Sequence, residues 1–244
     1  MSIKNKKNIL ITGSSQGIGL AIAKHFAKDF SVYVTGRYSD KLEKLCRENN
    51  FKGFVCADLS LSNGAESLFE SLNENIDILI NNAGNYIYSP VEKLEYEDIT
   101  SSFMLNSISQ LKLIKQVVPY MKSQKWGRII NIGSISGVMG EANASLYSMT
   151  KASLIGMTKA LALELAQDNI TVNVINPGWV DTELINNDDL EQDFSRSEII
   201  ETIPQRRFVT PEEIASTCEY LISDNAKSVT GQSINICAGL SLGY

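Results

Sequence analysis

The feature that most constrains this chain is alternation: short apolar, β-branched runs take turns with longer segments of helical period from one end to the other. The strand-like runs are Asn8 to Thr12, Ser31 to Thr35, Gly53 to Ala57, Asp77 to Asn81, Arg128 to Ile132, Thr171 to Ile175 and Ser233 to Cys237. Most are apolar almost without a break, as parallel strands are when the helices connecting them cover both faces. Helical periodicity falls between them, over Gly17 to Lys28, Ser39 to Glu48, Ser62 to Leu72, Tyr96 to Met121, Ser145 to Gln167 and Pro211 to Ser223. The pattern predicts an α/β fold in which residues 1–244 form a single domain, a doubly wound parallel sheet with helices on both faces. One stretch, 182–208, has no clear strand signal and only a weak helical pattern. It follows Pro177-Gly178 and so lies beyond a strand's carboxyl end, where an insertion of this size reads as a lid over a ligand site.

The 244 residues carry 28 carboxylates against 22 Lys and Arg, a formal charge of −6. Nucleic acids and anionic membranes recruit partners through a basic field, so neither is an expected partner. The one histidine, His25, lies in the apolar-periodic stretch 18–27 and reads as a helix-surface residue. Without further imidazoles, His-based hydrolase triads and His-rich zinc sites are excluded, and no metal site is expected. Cys46, Cys56, Cys218 and Cys237 show no C-x-x-C spacing and read as core thiols of a reduced compartment. Lys4, Lys6 and Lys7 precede Ile9-Leu10-Ile11, a run too short for a signal peptide, and no stretch approaches the roughly 18 apolar residues of a membrane span. A cytoplasmic protein is expected.

The first strand runs into Thr12-Gly13-Ser14-Ser15-Gln16-Gly17-Ile18-Gly19 and then a helix. Gly13 permits a tight turn, Gly17 lets backbone N–H groups approach a pyrophosphate, and Gly19 allows close helix–strand packing. The helix start adds unpaired N–H donors and a partial positive charge. With this composition T-G-x-x-x-G-I-G arises by chance on the order of once in 3,000 such chains, and the strand-before, helix-after context is the one that supports the motif. An NAD site places a carboxylate at the end of the second strand, whereas an NADP site places Arg there. Here the strand ends Val34-Thr35-Gly36-Arg37 with no acid before Asp40. The expected cofactor is NADP(H) rather than NAD(H), with Arg37 on the 2′-phosphate; Arg37 is otherwise a solvated strand-end residue.

Tyr147 and Lys151 stand four apart at the start of a predicted helix, which puts both on one face. There the ammonium can lower the phenol pKa and poise it for proton transfer. By itself the pair is weak evidence, because 9 Tyr in this chain give about 0.6 Tyr-x-x-x-Lys pairs by chance. Other elements stand with it in order: Asn81-Asn82-Ala83-Gly84 after the fourth strand, Asn106 in the long helix, Ser134 after the fifth strand and Pro177-Gly178. Together with the glycine loop they resemble the short-chain dehydrogenase/reductase family over essentially the whole chain.

That resemblance implies a Rossmann-type sheet of about seven strands in the order 3-2-1-4-5-6-7. It also implies roles. Tyr147 would be the acid/base that serves the substrate oxygen as hydride moves, Ser134 would hydrogen-bond that oxygen, and Lys151 would lower the Tyr147 pKa and bind the nicotinamide ribose. Asn106 would kink its helix and hold a water in a proton relay. The loop residues Gly13, Ser15, Gln16, Gly17, Ile18 and Gly19 would bind the cofactor, Asp58 and Leu59 would lie at the adenine, and Asn82, Ala83 and Gly84 at the adenosine ribose side. Pro177, Gly178, Val180 and Thr182 would meet the nicotinamide. Taken singly, Asn106 and Asn82 also read as backbone caps and Ser134 as a turn residue.

Within the family the chain looks most like 3-oxoacyl-[acyl-carrier-protein] reductases of fatty acid biosynthesis. That similarity implies reduction of a 3-oxoacyl thioester, carried on acyl carrier protein or CoA, by a homotetramer or homodimer. Three departures are visible: Gln16 replaces a basic loop residue, Asp168 replaces an Arg that carrier-docking members tend to have while Lys125 keeps positive charge at the other docking position, and the end reads Cys237-Ala238-Gly239-Leu240. The alternative is a family alcohol dehydrogenase acting on a small secondary alcohol, sugar, steroid or secondary metabolite. A cofactor-binding regulator without activity is the remaining reading, and intact Ser134, Tyr147, Lys151 and Asn106 weigh against it. The lid is acidic: Glu183, Asp188, Asp189, Glu191, Asp193, Glu198 and Glu201 face one base in sequence, Arg196, so the remainder of the chain is formally neutral. A carrier protein is itself acidic and would need a separate basic patch, for which Lys122, Lys125, Arg206 and Arg207 are the candidates.

Overall fold

Seven strands form one parallel sheet in the computed structural model, which describes residues 6–183 and 195–242. They are β1 (Asn8–Ile11), β2 (Ser31–Gly36), β3 (Gly53–Cys56), β4 (Ile78–Asn81), β5 (Gly127–Ile132), β6 (Ile170–Pro177) and β7 (Ser233–Ile236), ordered β3-β2-β1-β4-β5-β6-β7. Every predicted run is a strand and the order is the expected one. The register sets Ile9 of β1 between Val32 of β2 and Ile78 of β4. Odd and even positions of one strand then face opposite layers. Ile9 and Ile11 pack with Ile22 and Phe26 of α1 (Gly17–Phe26), Leu42 of α2 (Ser39–Asn49) and a late helix. Leu10 between them packs with Leu68 of α3 (Gly64–Leu72) on the other side. Burying a side chain of this size contributes about 1.5–3 kcal/mol, so a one-residue slip of any central strand is strongly disfavoured.

The long helix predicted from Tyr96 is divided. α4 (Tyr96–Phe103) passes through a π-helical turn, Met104–Ile108, into α5 (Ser109–Gln124). The wider turn carries Asn106, which is fully buried, donates from Nδ2 to Asn85 O at 3.0 Å and accepts from Asn85 N at 2.9 Å. A side chain that bonds the backbone of a neighbouring loop holds an extra residue in the turn, as π-bulges at functional sites do. A short α6 (Ser136–Met139) then precedes α7 (Ser145–Leu165).

In the lid region the weak pattern corresponds to α8 (Arg196–Thr202), started by a capping box in which Ser195 and Glu198 serve each other's backbone. Asp188, Asp189, Glu191 and Asp193 lie outside the described residues. α9 (Pro211–Ile222) opens with a second capping box, Thr210 and Glu213, and Pro211 in its first turn. Its Glu219 meets His25 of α1 at 2.9 Å on the surface. One expectation needs correction: Cys218 and Cys237 are buried, but Cys56 is exposed, because it ends the edge strand β3 on its outward side. Among the described residues no helix is long and apolar enough to cross a membrane.

Candidate active site

A cleft of about 840 Å³ runs along the carboxyl ends of the strands, across the point where the order reverses between β1 and β4. Open α/β sheets bind ligands there, because helices leaving adjacent strands in opposite directions part the loops. Nearly every residue singled out in the sequence lines it: Gly13, Ser15, Gln16, Gly17 and Ile18 after β1, Arg37 after β2, Asp58 and Leu59 after β3. Asn82, Ala83 and Gly84 follow from β4, Ser134 from β5, Tyr147 and Lys151 from α7, and Pro177, Gly178, Val180 and Thr182 from β6. Gly19 and Asn106 are the exceptions. Gly19 packs behind the loop, where an added Cβ would lie 2.5 Å from Asn82 Nδ2. Asn106 sits behind Gly84 and Lys151.

The glycine loop is held from two sides. Thr12 Oγ1 accepts from the backbone N–H groups of Asn82 and Ala83, at 2.9 and 3.0 Å, and Asn82 Nδ2 donates back to the carbonyls of Thr12 and Gly13. Asn82 thus fastens the loop to β4. Gly13 has φ +62, and an added Cβ would stand 2.8 Å from Ala83 Cα, so both conformation and space require glycine. α1 begins at Gly17 with no side chain capping its first turn, which leaves its N–H donors to a ligand in the cleft.

At the far end Arg37, Tyr38 and Lys41 line the wall beside Ser15. Lys41 Nζ donates to Gln16 Oε1 at 3.0 Å. The acid in this part of the wall, Asp58, accepts from the hydroxyl and N–H of Ser60 at 2.6 and 2.9 Å, and chiefly the hydroxyl holds its carboxyl below the ordinary range. Arg37 after β2 and Lys41 in the first turn of α2, with Asp58 Oδ1 engaged by Ser60, suit a 2′-phosphorylated dinucleotide. Lys41 was missed in the sequence, since a lysine in a first helical turn carries no signal until the helix is placed.

At the other end α7 sets Tyr147 and Lys151 one turn apart. An added Cβ on Gly137 would meet the backbone of Lys151 at 2.7 Å, so the absence of a side chain there lets α6 lie against α7 and brings Ser134 to Tyr147. Lys151 is 4% exposed, donates to Ile132 O at 2.9 Å, and burial lowers its pKa to about 8. Tyr147 is raised to about 12, first by burial and further by the charge of Glu141, while the Ser134 hydroxyl facing it acts in the opposite sense. The expected depression of the phenol by Lys151 is not seen: the ammonium lies 5.6 Å from the ring centre, and the loss of water around the phenolate outweighs it.

Glu141 is a second residue that sequence reasoning missed. Its Oε1 accepts from Tyr86 OH at 2.7 Å and its Oε2 from Ser136 Oγ at 2.6 Å. The Tyr86 ring meets that of Tyr147 edge to face at 4.9 Å. A signal existed, because Glu141 is the only charged residue between Arg128 and Lys151. Met139, Trp179 and Leu240 form the apolar part of the same end.

The chain is similar to known proteins along almost its whole length. A family model described as enoyl-(acyl carrier protein) reductase matches residues 13–241. The 3-oxoacyl-[acyl-carrier-protein] reductase FabG of Aquifex aeolicus is 34% identical over 98% of this chain and 100% of its own length. An acetoacetyl-CoA reductase of Cupriavidus necator is likewise 34% identical, over 96% of this chain and 97% of its own. Among solved structures, a variant of actinorhodin polyketide ketoreductase with NADPH superposes with a TM-score of 0.90, at 32% identity and 99% coverage of both chains.

Proposed function

The chain belongs to the short-chain dehydrogenase/reductase family and is an NAD(P)-dependent oxidoreductase, and from that premise we propose that it is an NADP(H)-dependent carbonyl reductase whose best-supported substrate is a 3-oxoacyl thioester. The observation that carries the reading is the convergence of Ser134, Tyr147 and Lys151 at one end of a cleft whose other end holds Arg37 and Lys41. Bound NADPH would supply the hydride. Gly13 and the first turn of α1 would hold its pyrophosphate, Arg37 and Lys41 its 2′-phosphate, and Lys151 its nicotinamide ribose. Val180 and Thr182 would meet the carboxamide; Val209 N–H donates to Trp179 O at 2.9 Å and Asp181 N–H to Val209 O at 2.8 Å, a bridge that steadies this segment. Tyr147 is held as the neutral phenol in the range where enzymes work, and that is the form a reduction needs, since it gives its proton to the substrate oxygen as charge develops there. Ser134 would hydrogen-bond the same oxygen.

A small or CoA-borne thioester is favoured over one on a carrier protein. Lys125 meets Asp168 at 2.5 Å, so the two docking positions cancel each other. Arg207 donates to both carboxylate oxygens of Glu213, at 2.7 and 2.8 Å, and Arg206 donates to the carbonyl of Glu201. Two of the four candidate bases, Lys125 and Arg207, are thus paired with carboxylates, which weakens the patch an acidic partner would need.

The test is initial-rate NADPH oxidation with acetoacetyl thioesters of CoA and of carrier protein, beside a panel of small ketones. Turnover of the CoA thioester with NADPH well above NADH is expected. Rapid NADP⁺-dependent oxidation of a secondary alcohol or sugar, with no reduction of any thioester, would replace this reading by the alcohol dehydrogenase one.

A further inference from the structure

We infer that Glu141 selects the substrate by charge, making the reacting end of the cleft a subsite for neutral ketones and closing it to those with an anion beside the carbonyl. The inference rests on the carbonyl reductase reading above.

Glu141 leaves the turn after α6, where Gly140 takes φ +80 and Ala144 N donates to Glu141 O at 3.2 Å. Both carboxylate oxygens are directed at groups of the reacting end. Tyr86, whose ring rests on Tyr147, donates to one, and Ser136 donates to the other. Ser136 Oγ in turn accepts from Ser134 Oγ at 3.1 Å. The carboxylate is thus joined to both residues that would touch the substrate oxygen.

No cation of the described cleft wall neutralises it. Arg37 and Lys41 lie at the opposite end, and Lys151 donates to Ile132 O. Two hydroxyl donors hydrogen-bond the carboxylate instead. A carboxylate accepts about four hydrogen bonds in all, which leaves capacity for a hydroxyl or amide N–H of the substrate. Glu141 Oε2 is two hydrogen bonds, of 2.6 and 3.1 Å, from Ser134 Oγ, so a substrate carboxylate one or two bonds from the reacting carbonyl would lie on the order of 6 Å from it. At an effective dielectric near 20, like charges at that distance lower binding by on the order of a hundredfold. The subsite therefore admits an oxoacyl ester or thioester and rejects the free oxo acid.

Two substrates with the same reacting carbonyl test this: ethyl acetoacetate, which is neutral, and acetoacetate, which is an anion. kcat/KM for each is measured with NADPH, in the wild type and in Glu141→Gln, at low and at high salt. The wild type is expected to prefer the ester by on the order of a hundredfold, and the preference should fall at least about tenfold in the variant. In the wild type it should also narrow as salt rises, because screening weakens the repulsion; this arm needs no variant and stands if Glu141→Gln misfolds. Equal kcat/KM for the two substrates in the wild type, a preference unchanged in a folded Glu141→Gln, or one insensitive to salt would each overturn the inference. Reduction of neither substrate, with NADPH binding intact, overturns the carbonyl reductase reading and the inference with it, whereas reduction of both at equal efficiency overturns the inference alone.

Discussion

The two ends of the cleft are built on opposite principles. At the phosphate loop the work falls to backbone and empty space: Gly13 is fixed by φ +62 and a 2.8 Å approach to Ala83, and its neighbours are clamped by neutral hydrogen bonds from Asn82 and to Thr12. At the reacting end it falls to ionisable side chains, with buried Lys151 lowered to about 8 and half-buried Tyr147 raised to about 12. The first end is shaped with little electrostatic strain, and the second stores it. Substitutions should therefore damage the loop through stability and binding, but separate activity from stability at Tyr147 and Lys151.

The largest effect is expected at Tyr147→Phe. Loss of the proton donor should lower kcat by about a thousandfold, while NADPH affinity by fluorescence titration changes little; near-normal kcat would sink the assignment. At the other end, Gly13→Ala adds a Cβ against backbone in a left-handed conformation. It should destabilise the fold by about 3 kcal/mol and weaken NADPH binding at least tenfold. An unaltered denaturation midpoint together with normal NADPH affinity would show that the loop tolerates what the geometry forbids.

Lys151→Met tests the contrast most directly, because it should stabilise the protein while it abolishes turnover. The lysine is held at about 8 against an ordinary 10.5, so between these values the unfolded chain carries a proton that the folded one has lost. Stability of the wild type should accordingly rise with pH from about 8 to 10.5, and below 8 the buried charge costs about 3 kcal/mol. Losing the hydrogen bond to Ile132 offsets about 1 kcal/mol of the relief, leaving a gain of about 2 kcal/mol at pH 7. Chemical denaturation at pH 7 and pH 10 checks it, and the gain should shrink at the higher value; a variant less stable than wild type at pH 7 contradicts the account. The smallest effect belongs to Gly156, on the same helix as Tyr147 but with nothing within 4 Å of an added Cβ. Gly156→Ala should stabilise by about 0.5–1 kcal/mol through helix propensity and leave kcat unaltered.

Much of this was legible in the residues. Seven strands, their parallel character and the position of the phosphate loop follow from periodicity and from T-G-x-x-x-G-I-G, since burial on both sheet faces writes itself into near-continuous apolar runs; their order was implied by the family resemblance. The break in the long helix at Asn106 was foreshadowed only by resemblance, because a polar residue in mid-helix has no distinctive period. Cys56 misled for a related reason: a cysteine at a strand end is core or surface according to whether its strand lies at the edge. Glu141 was passed over although its isolation among uncharged residues was on view, and Lys41 had no signal at all.

By itself the sequence determined the alternation of layers and the spacing of Tyr147 and Lys151, because periodicity and i,i+4 geometry are local properties that survive any arrangement of the rest, while the strand order came only with the family resemblance. Only the tertiary structure decided what those groups experience. The pKa values of Tyr147 and Lys151, the cancellation of Lys125 by Asp168 and the meeting of Glu141 with Tyr86 and Ser136 depend on water exclusion and on distances between segments far apart in the chain. Charge is written in the sequence, but its energy is set by what surrounds it.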